Sequence, residues 1–412
     1  MRPVIDGSRL SDQLEALAEF SDPASPRITR IVFTPPDLKA RQWLKQLCGN
    51  AGLVVREDPV GNTFARWPGA DELAPAVATG SHIDAIPNSG RYDGTVGVLG
   101  GLEAIRALKE SDFRPKRAIE LVLFTSEEPT RFGLGCLGSR LLAGALSPED
   151  AARIQDKAGT SLDAVRAAAG FGGELRNVRL PGGQYHAFIE LHIEQGALLE
   201  KQGIAIGVVT SIAAPASLRI TVRGEGGHAG TVLMNDRHDA LLGASEIALA
   251  AERAALSTGA ADSVATAGVC EVFPGAINGI PSAVRLELDI RDTDLDRRDR
   301  MVASIGASCG EVARKRGLEV RTEVLNADAP AHCDPIVMDA IVRACQTSKK
   351  TFTHLVSRAY HDALFLSRIA PAGMIFIPCR GGVSHLPEEY ASPADIEAGV
   401  TVLAHVLGEL AG

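Results

Sequence analysis

Apolar residues recur at helical spacing early in the chain and then alternate as they do in strands. Residues 8 to 20 and 37 to 52 carry Leu, Ala and Phe at intervals that predict two amphipathic helices. The next segment, LVVREDPVGNTFARWPG, alternates around a Gly-Asn pair and predicts a β-hairpin. The chain therefore opens with helices and a hairpin.

Two short apolar runs follow, APAVATGSHID and AIELVLFTSEE, and each ends in a polar cluster. The segment VGVLGGLEAIRALKE between them has helical spacing, so the order is β-α-β. Strands joined in this way lie parallel in a covered sheet, and functional groups gather at their carboxyl ends. His82 and the pair Glu127 and Glu128 end these runs, so we expect them at one edge of a sheet.

A different pattern begins near residue 213, where strand-like and helical segments follow the order β-α-β-β-α-β. This is the order of a ferredoxin-like α+β module. After it, PAGMIFIPC restores a buried strand and a terminal helix closes the chain. We predict an α/β protein with a mixed, largely parallel sheet in a discontinuous domain of residues 1–212 and 329–412, and the inserted module at 213–328.

Composition and charge exclude several classes of protein. The 412 residues are 45% hydrophobic and carry a net charge of −9 without a basic block, which argues against a nucleic-acid partner. No apolar run has membrane-spanning length, and the amino terminus lacks the apolar stretch of a secretory signal. Seven scattered cysteines without a C-x-x-C pair predict reduced thiols in the cytoplasm rather than a disulfide framework or a thiolate zinc site.

Histidines and carboxylates cluster where the predicted strands end. A lone histidine in such a loop is usually structural, but several at strand ends together indicate a metal site. Imidazole and carboxylate suit zinc, manganese, cobalt or nickel, so a catalytic metal is favoured over a structural one. The clusters are GSHIDAIPNSGRYDG with His82, Asp84 and Asp93, TSEEPTRFG with Glu127 and Glu128, IELHIEQG with His192, GGVSHLPEEY with His385, and GGHAG with His228.

Two of these clusters predict further roles. In HID, Asp84 points to the same side of an extended chain as His82, so its carboxylate is expected to accept the second ring N–H and fix the tautomer. The neighbouring Glu127 and Glu128 repel each other unless cations or a proton separate them. The repulsion is relieved if one carboxylate binds a metal ion and the other binds and transfers protons.

The ordered set GSHIDAIPNSGRYDG, TSEEPTRFGLGCLGS, IELHIEQG, GHAG, GAINGIPS and SHLPEEY resembles the amidase/hydantoinase/carbamoylase family, related to aminoacylase and carboxypeptidase-like dinuclear metallopeptidases. The resemblance covers nearly the whole chain. It implies a metallopeptidase-like catalytic domain, with Glu127 as the general base, and an inserted module that acts as a lid and forms a homodimer. It also implies two divalent metal ions (Mn, Zn, Co or Ni), bridged by Asp93, with the ligands His82, Asp93, Glu128, His192 and His385.

The same resemblance implies that His228, Asn278 and Arg291 contact substrate, some of them in the site of the neighbouring subunit. Each has a simpler alternative. His228 can cap a glycine-rich turn, Asn278 can hold a turn, and Arg291 can form an ion pair with Asp292 or Asp294. A guanidinium also binds a carboxylate through two hydrogen bonds, so a substrate acid group is the functional alternative for Arg291.

Three more residues near the predicted site have open roles. Gln195 can contact a substrate amide or make a structural hydrogen bond. Tyr360 and His361 place polar tips beside the predicted metal site, and packing is an equal alternative for Tyr360. All three remain candidates for substrate binding.

The implied activity is hydrolysis of the C–N bond of a small anionic ureido or carbamoyl acid such as ureidoglycolate, with release of ammonia. N-carbamoyl-L-amino acids and allantoate are alternatives, weakened because Val232 and Leu233 replace the usual Thr-Pro pair and because Arg358 and Tyr360 replace small residues. An aminopeptidase or aminoacylase uses the same activated water. A catalytically inert metal-binding scaffold is the alternative from another class, and the intact Glu127 with its five neighbouring ligand candidates disfavours it.

Overall fold

The computed structural model describes residues 3–412, so the first two residues of the amino-terminal segment lie outside the described residues. The α-helices, in chain order, are α1 (Gly7–Ala18), α2 (Pro35–Asn50), α3 (Thr95–Glu110), α4 (Leu137–Ala143), α5 (Pro148–Ala151), α6 (Leu162–Ala168), α7 (Leu198–Gln202), α8 (Ala240–Ser257), α9 (Leu295–Arg316), α10 (Pro335–Ser348), α11 (Asp362–Leu366) and α12 (Pro393–Ala411). Short 3-10 turns are Leu175–Asn177, Met234–Asp236 and Arg380–Gly382.

The strands, in chain order, are β1 (Ile28–Arg30), β2 (Val54–Glu57), β3 (Thr63–Trp67), β4 (Ala76–Ser81), β5 (Ala85–Ser89), β6 (Ile119–Leu123), β7 (Tyr185–Ile193), β8 (Ile206–Ile212), β9 (Ala214–Arg223), β10 (Gly227–His228), β11 (Val264–Phe273), β12 (Gly279–Ile280), β13 (Ala283–Asp292), β14 (Glu319–Ala327), β15 (Ala331–His332), β16 (Phe352–Ser357) and β17 (Ala372–Ile377). Strands β2 and β3 pair antiparallel, which confirms the predicted hairpin. The two helices predicted near the amino terminus are α1 and α2, with ends shifted by one or two residues.

The chain divides into two compact units. Unit 1 is the chain up to Thr210 together with Cys333–Leu355 and His361–Gly412, and unit 2 is Ser211–His332 with Val356–Tyr360. The domain boundaries predicted from the sequence were 212/213 and 328/329, within four residues of these divisions.

The segment Val356–Tyr360 groups with unit 2, although the sequence placed it in the discontinuous domain. The Ser357 carbonyl accepts a hydrogen bond of 2.8 Å from the Ala213 N–H. The Arg358 guanidinium pairs with Asp262 at 2.7 Å. These partners are far away along the chain, so the local sequence pattern carried no sign of the grouping.

The central strands of unit 1 are parallel. The paired strands have the order β8-β17-β7-β4-β6-β3-β2, and β16 pairs with β8. Strands β17, β7, β4 and β6 run parallel, whereas β8, β3 and β2 pair antiparallel with their neighbours. The predicted β-α-β unit is confirmed as β4, α3 and β6. The carboxyl ends of four strands therefore meet at one edge of a mixed sheet.

The core of unit 1 covers both faces of this sheet, which explains the continuous apolar runs in the sequence. Every residue of β4, β6 and β17 is buried. Helix α3 packs directly on β7, because a Cβ on Gly97 would lie 2.4 Å from the Leu191 carbonyl oxygen. Among residues 3–412, no helix is both long enough and apolar enough to cross a bilayer.

Unit 2 contains β9, α8, β11, β13, α9 and β14 in that order, as the sequence predicts for its inserted module. Its antiparallel sheet has the order β11-β13-β9-β14, the ferredoxin-like arrangement. Residues of β13 alternate between buried and half-buried, so one face packs on the helices. Leu218, Ile220 and Leu288 form the core there with Ile247 and Ile305 of the helices.

Candidate metal centre

Side chains at the carboxyl edge of the unit 1 sheet converge because the strands that bring them are parallel neighbours. His82 directly follows β4, and Asp93 lies two residues before α3. The remaining members are Glu127 and Glu128 after β6, His192 near the end of β7, and His385 in the segment after β17.

Two groups of these side chains are suited to hold a cation, and they share Asp93. One is His82, Asp93 and His192, and the other is Asp93, Glu128 and His385, with ligand atoms within 4.8 Å of one another in each group. The Nε2 atoms of His82 and His192 lie 3.4 and 3.2 Å from Asp93 Oδ1. His385 Nε2 lies 3.3 Å from Asp93 Oδ2 and 3.2 Å from Glu128 Oε1. Asp93 thus offers one oxygen to each group, as a bridging carboxylate does.

The histidine tautomers suit metal binding. His82 Nδ1 lies 3.0 Å from the Asp84 carbonyl oxygen, and His192 Nδ1 lies 2.9 Å from the Ile193 carbonyl oxygen. A carbonyl only accepts, so each Nδ1 carries the proton and each Nε2 keeps its lone pair. Nε2 is therefore the ring atom that each histidine presents to Asp93, and the donor set fits a divalent cation. His192 Nε2 also accepts the Gly94 N–H at 3.0 Å.

The charges of the cluster also favour bound cations. Burial raises the pKa of Asp93, but hydrogen bonds with His192, His385 and His82 lower it more strongly. The pKa of Asp93 therefore lies well below its usual value. Hydrogen bonds to Asp93 and Glu128 raise the pKa of His385 to about 11. Burial lowers the pKa of His82, yet the nearby carboxylates raise it more strongly. The carboxylates thus stabilise positive charge at the ligand positions.

Glu127 lies beside the first group without belonging to either. Its Oε2 is 3.6 Å from His82 Nε2, and the residue is buried. Burial raises the pKa of Glu127 well above the usual value; His82 opposes that rise and Glu128 adds to it. A carboxylate with a raised pKa is suited to proton transfer near neutral pH.

The predicted hydrogen bond from the His82 ring to the Asp84 carboxylate is wrong. The ring nitrogen instead bonds to the Asp84 carbonyl, and the nearer carboxylate oxygen lies 3.7 Å from it. The carboxylate accepts backbone N–H groups of Glu127 at 3.3 Å and Glu128 at 3.0 Å. Asp84 therefore supports two loops of the site, one through its carbonyl and one through its carboxylate.

Gly94 allows the backbone to approach the ligands closely. Its φ is +66°, in the left-handed region that favours glycine. A Cβ at this position would lie 2.4 Å from His82 Nε2. Any side chain here would displace His82 from Asp93.

Gln195 and Ser384 hold the oxygen of Asp93 that faces His385. Gln195 Nε2 donates to Asp93 Oδ2 at 2.6 Å, and the Ser384 hydroxyl lies 2.8 Å from the same oxygen. Glu389 accepts the Asp93 N–H at 3.1 Å. Gln195 Oε1 is buried and has no hydrogen-bond partner among residues 3–412. The sequence pattern did not indicate Ser384 or Glu389, although both lie within the segment SHLPEEY.

Two buried residues lie next to His192: His361, which the sequence indicated, and Glu190, which it did not. Glu190 accepts hydrogen bonds from the Ser81 hydroxyl at 2.7 Å and the Ala363 N–H at 2.8 Å. It precedes His192 by two positions on β7, so strand alternation was a signal for it. The His361 ring is buried, with its centroid 4.5 Å from that of His192. His361 thus packs against a ligand candidate.

His228 and Asn278 are neighbours across the short β10–β12 pair of unit 2. His228 is exposed, and its Nδ1 accepts the Gly230 N–H at 3.1 Å. In the neutral ring this leaves the proton on Nε2, as a donor. The Asn278 carbonyl accepts the Ala229 N–H at 2.9 Å, so the backbone of Asn278 holds the turn.

Arg291 is held on β13 by Asp289, through contacts of 2.7 and 3.2 Å. The sequence had named Asp292 or Asp294 as its ion-pair partner. Asp289 lies two positions earlier, on the same face of the strand. The Arg291 guanidinium also lies 5.9 Å from the centre of the Tyr360 ring, so Tyr360 packs on it.

Known proteins of similar sequence and structure match almost the whole chain. The model of peptidase family M20/M25/M40 matches residues 78–409. Ureidoglycolate hydrolase of Arabidopsis thaliana is 50% identical over 413 residues, which cover 98% of this chain and 87% of that protein. An N-carbamoyl-L-amino-acid amidohydrolase of a Pseudomonas species is 37% identical, with 97% of each chain covered.

The crystal structure of AtUAH in complex with (S)-hydroxyglycine has a TM-score of 0.91 to this structure. It is 49% identical in sequence and covers 100% of this chain and 99% of its own. The resemblance predicted from the motifs is confirmed, and the ligand groups agree with divalent-metal binding. The chain thus belongs to peptidase family M20/M25/M40 and is a metal-dependent amidohydrolase that cleaves C–N bonds.

Proposed function

We propose that the substrate is ureidoglycolate and that the reaction releases ammonia from its ureido group. The observation that carries the reaction type is the position of Glu127, a buried carboxylate beside two ligand groups that belongs to neither. The substrate is supported by the ureidoglycolate hydrolase that is 50% identical to this chain over 413 residues. The (S)-hydroxyglycine bound by AtUAH is a small acid with the carbon skeleton of ureidoglycolate and an amino group in place of the ureido group.

Two divalent ions, Mn, Zn, Co or Ni, are the proposed cofactors. His82 and His192 would hold one with Asp93, and Glu128 and His385 would hold the other with the second oxygen of Asp93. Bound ions of this kind make water more acidic and polarise a carbonyl group. The N and O donors, without thiolate, make both ions exchangeable.

Glu127 is the proposed general base and then general acid. It takes a proton from the water that adds to the ureido carbonyl carbon, and it returns that proton to the departing nitrogen. The C–N bond breaks, ammonia leaves, and the carbonyl carbon remains on the other nitrogen as a carbamate, which can then lose carbon dioxide. Burial raises the pKa of Glu127, so its carboxylate, once ionised, is a stronger base than that of an exposed glutamate.

Further residues are proposed to orient the substrate. The His228 Nε2–H is a donor for the carbonyl oxygen as it gains negative charge, and Arg291 is a cation for the substrate carboxylate. Asn278 supports the turn that carries His228. Gln195 Oε1, buried and unpartnered among the described residues, is an acceptor for a ureido N–H. Tyr360 and His361 complete the proposed contacts.

An ammonia-release assay with manganese-loaded protein tests the substrate. The panel holds ureidoglycolate, allantoate, an N-carbamoyl-L-amino acid and an N-acetyl amino acid, the last assayed for the free amine. The highest kcat/KM on ureidoglycolate supports the proposal. A preference for the N-carbamoyl acid or for allantoate would contradict the proposal and indicate the activity of a carbamoylase or an allantoate amidohydrolase instead. No turnover of any compound would favour an inert scaffold.

We infer a homodimer formed through unit 2. Strand β11 is an edge of its sheet, largely exposed, and α8 packs beside it. On α8, Leu242, Leu249 and Leu256 recur every seven residues and are 43%, 54% and 74% exposed. A regular apolar stripe beside the outer edge of an edge strand is suited to a second copy of the same surface.

Light scattering after size exclusion tests the dimer. Leu249→Glu should give monomers, whereas Leu73→Glu, at an exposed leucine of unit 1, should not. A dimer that survives Leu249→Glu at low protein concentration would exclude this surface.

We also propose that the protein is cytoplasmic. All seven cysteines are free, and only Cys270 is exposed, as in proteins of reducing compartments. Fractionation of the source cells with an antibody tests this location.

A further inference from the structure

The Cys136 side chain contacts the proposed general base. Its Sγ lies 3.3 Å from Glu127 Oε1, and the residue is completely buried. The sequence pattern indicates no role for this cysteine beyond that of a reduced thiol. Its neighbour Glu127 has its other oxygen, Oε2, beside His82. The two oxygens of the base therefore have different surroundings.

The backbone fixes this contact. The Cys136 N–H donates to the Glu127 carbonyl at 2.8 Å, and the next two residues pair with Ser126 and Thr125 at 2.9 and 2.8 Å. Cys136 has a φ of +55°, a left-handed conformation that is uncommon for a residue with a Cβ. The chain thus folds back along the base and directs the thiol at it.

We propose that Cys136 is a positioning residue, whose S–H donates to Glu127 Oε1 and directs Oε2 toward the reacting water. This rests on the proposed role of Glu127. A thiol is a weak donor, so it fixes the orientation of the carboxylate and removes little of its basicity. Burial raises the pKa of the Cys136 thiol well above the usual value, and the nearby Glu127 adds to this, so the sulfur keeps its proton.

An infrared measurement tests the hydrogen bond without any assay of activity. In the manganese-loaded protein, the difference between wild type and Cys136→Ala isolates the S–H stretch of Cys136. Glu127→Gln should shift this band to higher frequency, because a neutral amide accepts more weakly than a carboxylate. The band of Cys345, buried in α10, should not move. An unmoved Cys136 band would overturn the proposal.

Kinetics test the positioning role. On the panel compound that wild type turns over fastest, Cys136→Ala should lower kcat by about five- to tenfold, the value of one hydrogen bond, with KM little changed. Cys136→Ser keeps a donor and should recover part of that loss. A packing role predicts the opposite order, because a buried serine destabilises the fold at least as much as alanine. Cys345→Ala and Cys345→Ser are the matched controls.

The outcomes separate the two proposals. If Glu127→Gln keeps its kcat, the base assignment fails whatever the Cys136 variants do. If Glu127→Gln is inactive and the Cys136 variants behave like the Cys345 pair, only the positioning role fails.

Discussion

The Glu128 backbone N–H donates to the Asp84 carboxylate at 3.0 Å. This bond joins the segment after β4, which carries His82, to the loop after β6, which carries Glu127 and Glu128. Parallel neighbours bring these two loops to one edge of the sheet, but the hydrogen bond fixes their spacing. Side chains from two loops can bind a common cation site only when that spacing is held.

Asp84→Asn should weaken metal binding about 10- to 100-fold, the usual effect of losing a group that orients ligands. The amide has one acceptor oxygen for two N–H groups, so one of them loses its partner. Competition with a chelating dye measures the dissociation constant. Asp58→Asn is the matched control, since Asp58 also accepts two backbone N–H groups, in the β2–β3 turn. Equal effects of both variants would show that the loss reflects general stability.

Glu127→Gln should keep the metals and lose about 10²–10⁴-fold in kcat, the contribution of general acid–base catalysis. Glu128→Gln should instead weaken metal binding, because it changes a carboxylate that lies 3.2 Å from His385. Single-turnover kinetics with a metal titration of both variants separates the effects. If Glu127→Gln weakened metal binding and Glu128→Gln lowered only kcat, Glu128 would be the general base and Glu127 the metal ligand.

Dialysis against a chelator should abolish turnover, and manganese, cobalt, nickel or zinc should restore it. The ligand candidates offer only N and O donors, which release such ions more readily than thiolates do. Elemental analysis must accompany the assay. Full turnover by protein shown to be free of metal would exclude the proposed chemistry.

Inactive His228→Ala chains mixed with inactive Glu127→Gln chains should recover part of the activity if His228 acts in the site of the partner. Recovery follows because a mixed dimer then contains one site with both residues intact. Native mass spectrometry verifies that subunits have exchanged. Absence of recovery in verified mixed dimers would count against a contribution of His228 to the site of the partner.

Arg291→Lys keeps the charge and loses the planar fork, so kcat/KM should fall more for the acid substrate than for its uncharged amide analogue. Asp289 already contacts two nitrogens of this guanidinium, and lysine would also loosen that pair. Arg285→Lys, on the same strand and paired with Glu271, is the control. Equal losses on both compounds would show that Arg291 does not bind the carboxylate.

The sequence predicts the parts of this site that depend on strand order. His82 and Glu127 end two apolar runs, and a β-α-β connection makes the runs parallel, so their meeting follows from general rules. The elements of the unit 2 module can also be predicted from the sequence, because alternation marks each strand and helical spacing marks each helix.

Contacts that depend on the path of a loop could not be predicted in this way. Asp84 has a carbonyl and a carboxylate, and only the turn after β6 decides which one meets His82. Glu389 meets the backbone of Asp93 across 296 residues, and no local pattern encodes such a pairing. In the sequence nothing distinguishes Cys136 from the other six scattered cysteines, because its contact with Glu127 depends on the path of the chain after β6.

The two cation groups share Asp93 and draw their members from His82 to His385, with the whole of unit 2 between His192 and His385 in the chain. During synthesis, a ribosome has made most of the protein before His385 exists. Until then only the group formed by His82, Asp93 and His192 has all its members. The second group is completed last, so a cation proposed to bind there would bind only after nearly the whole chain has been made.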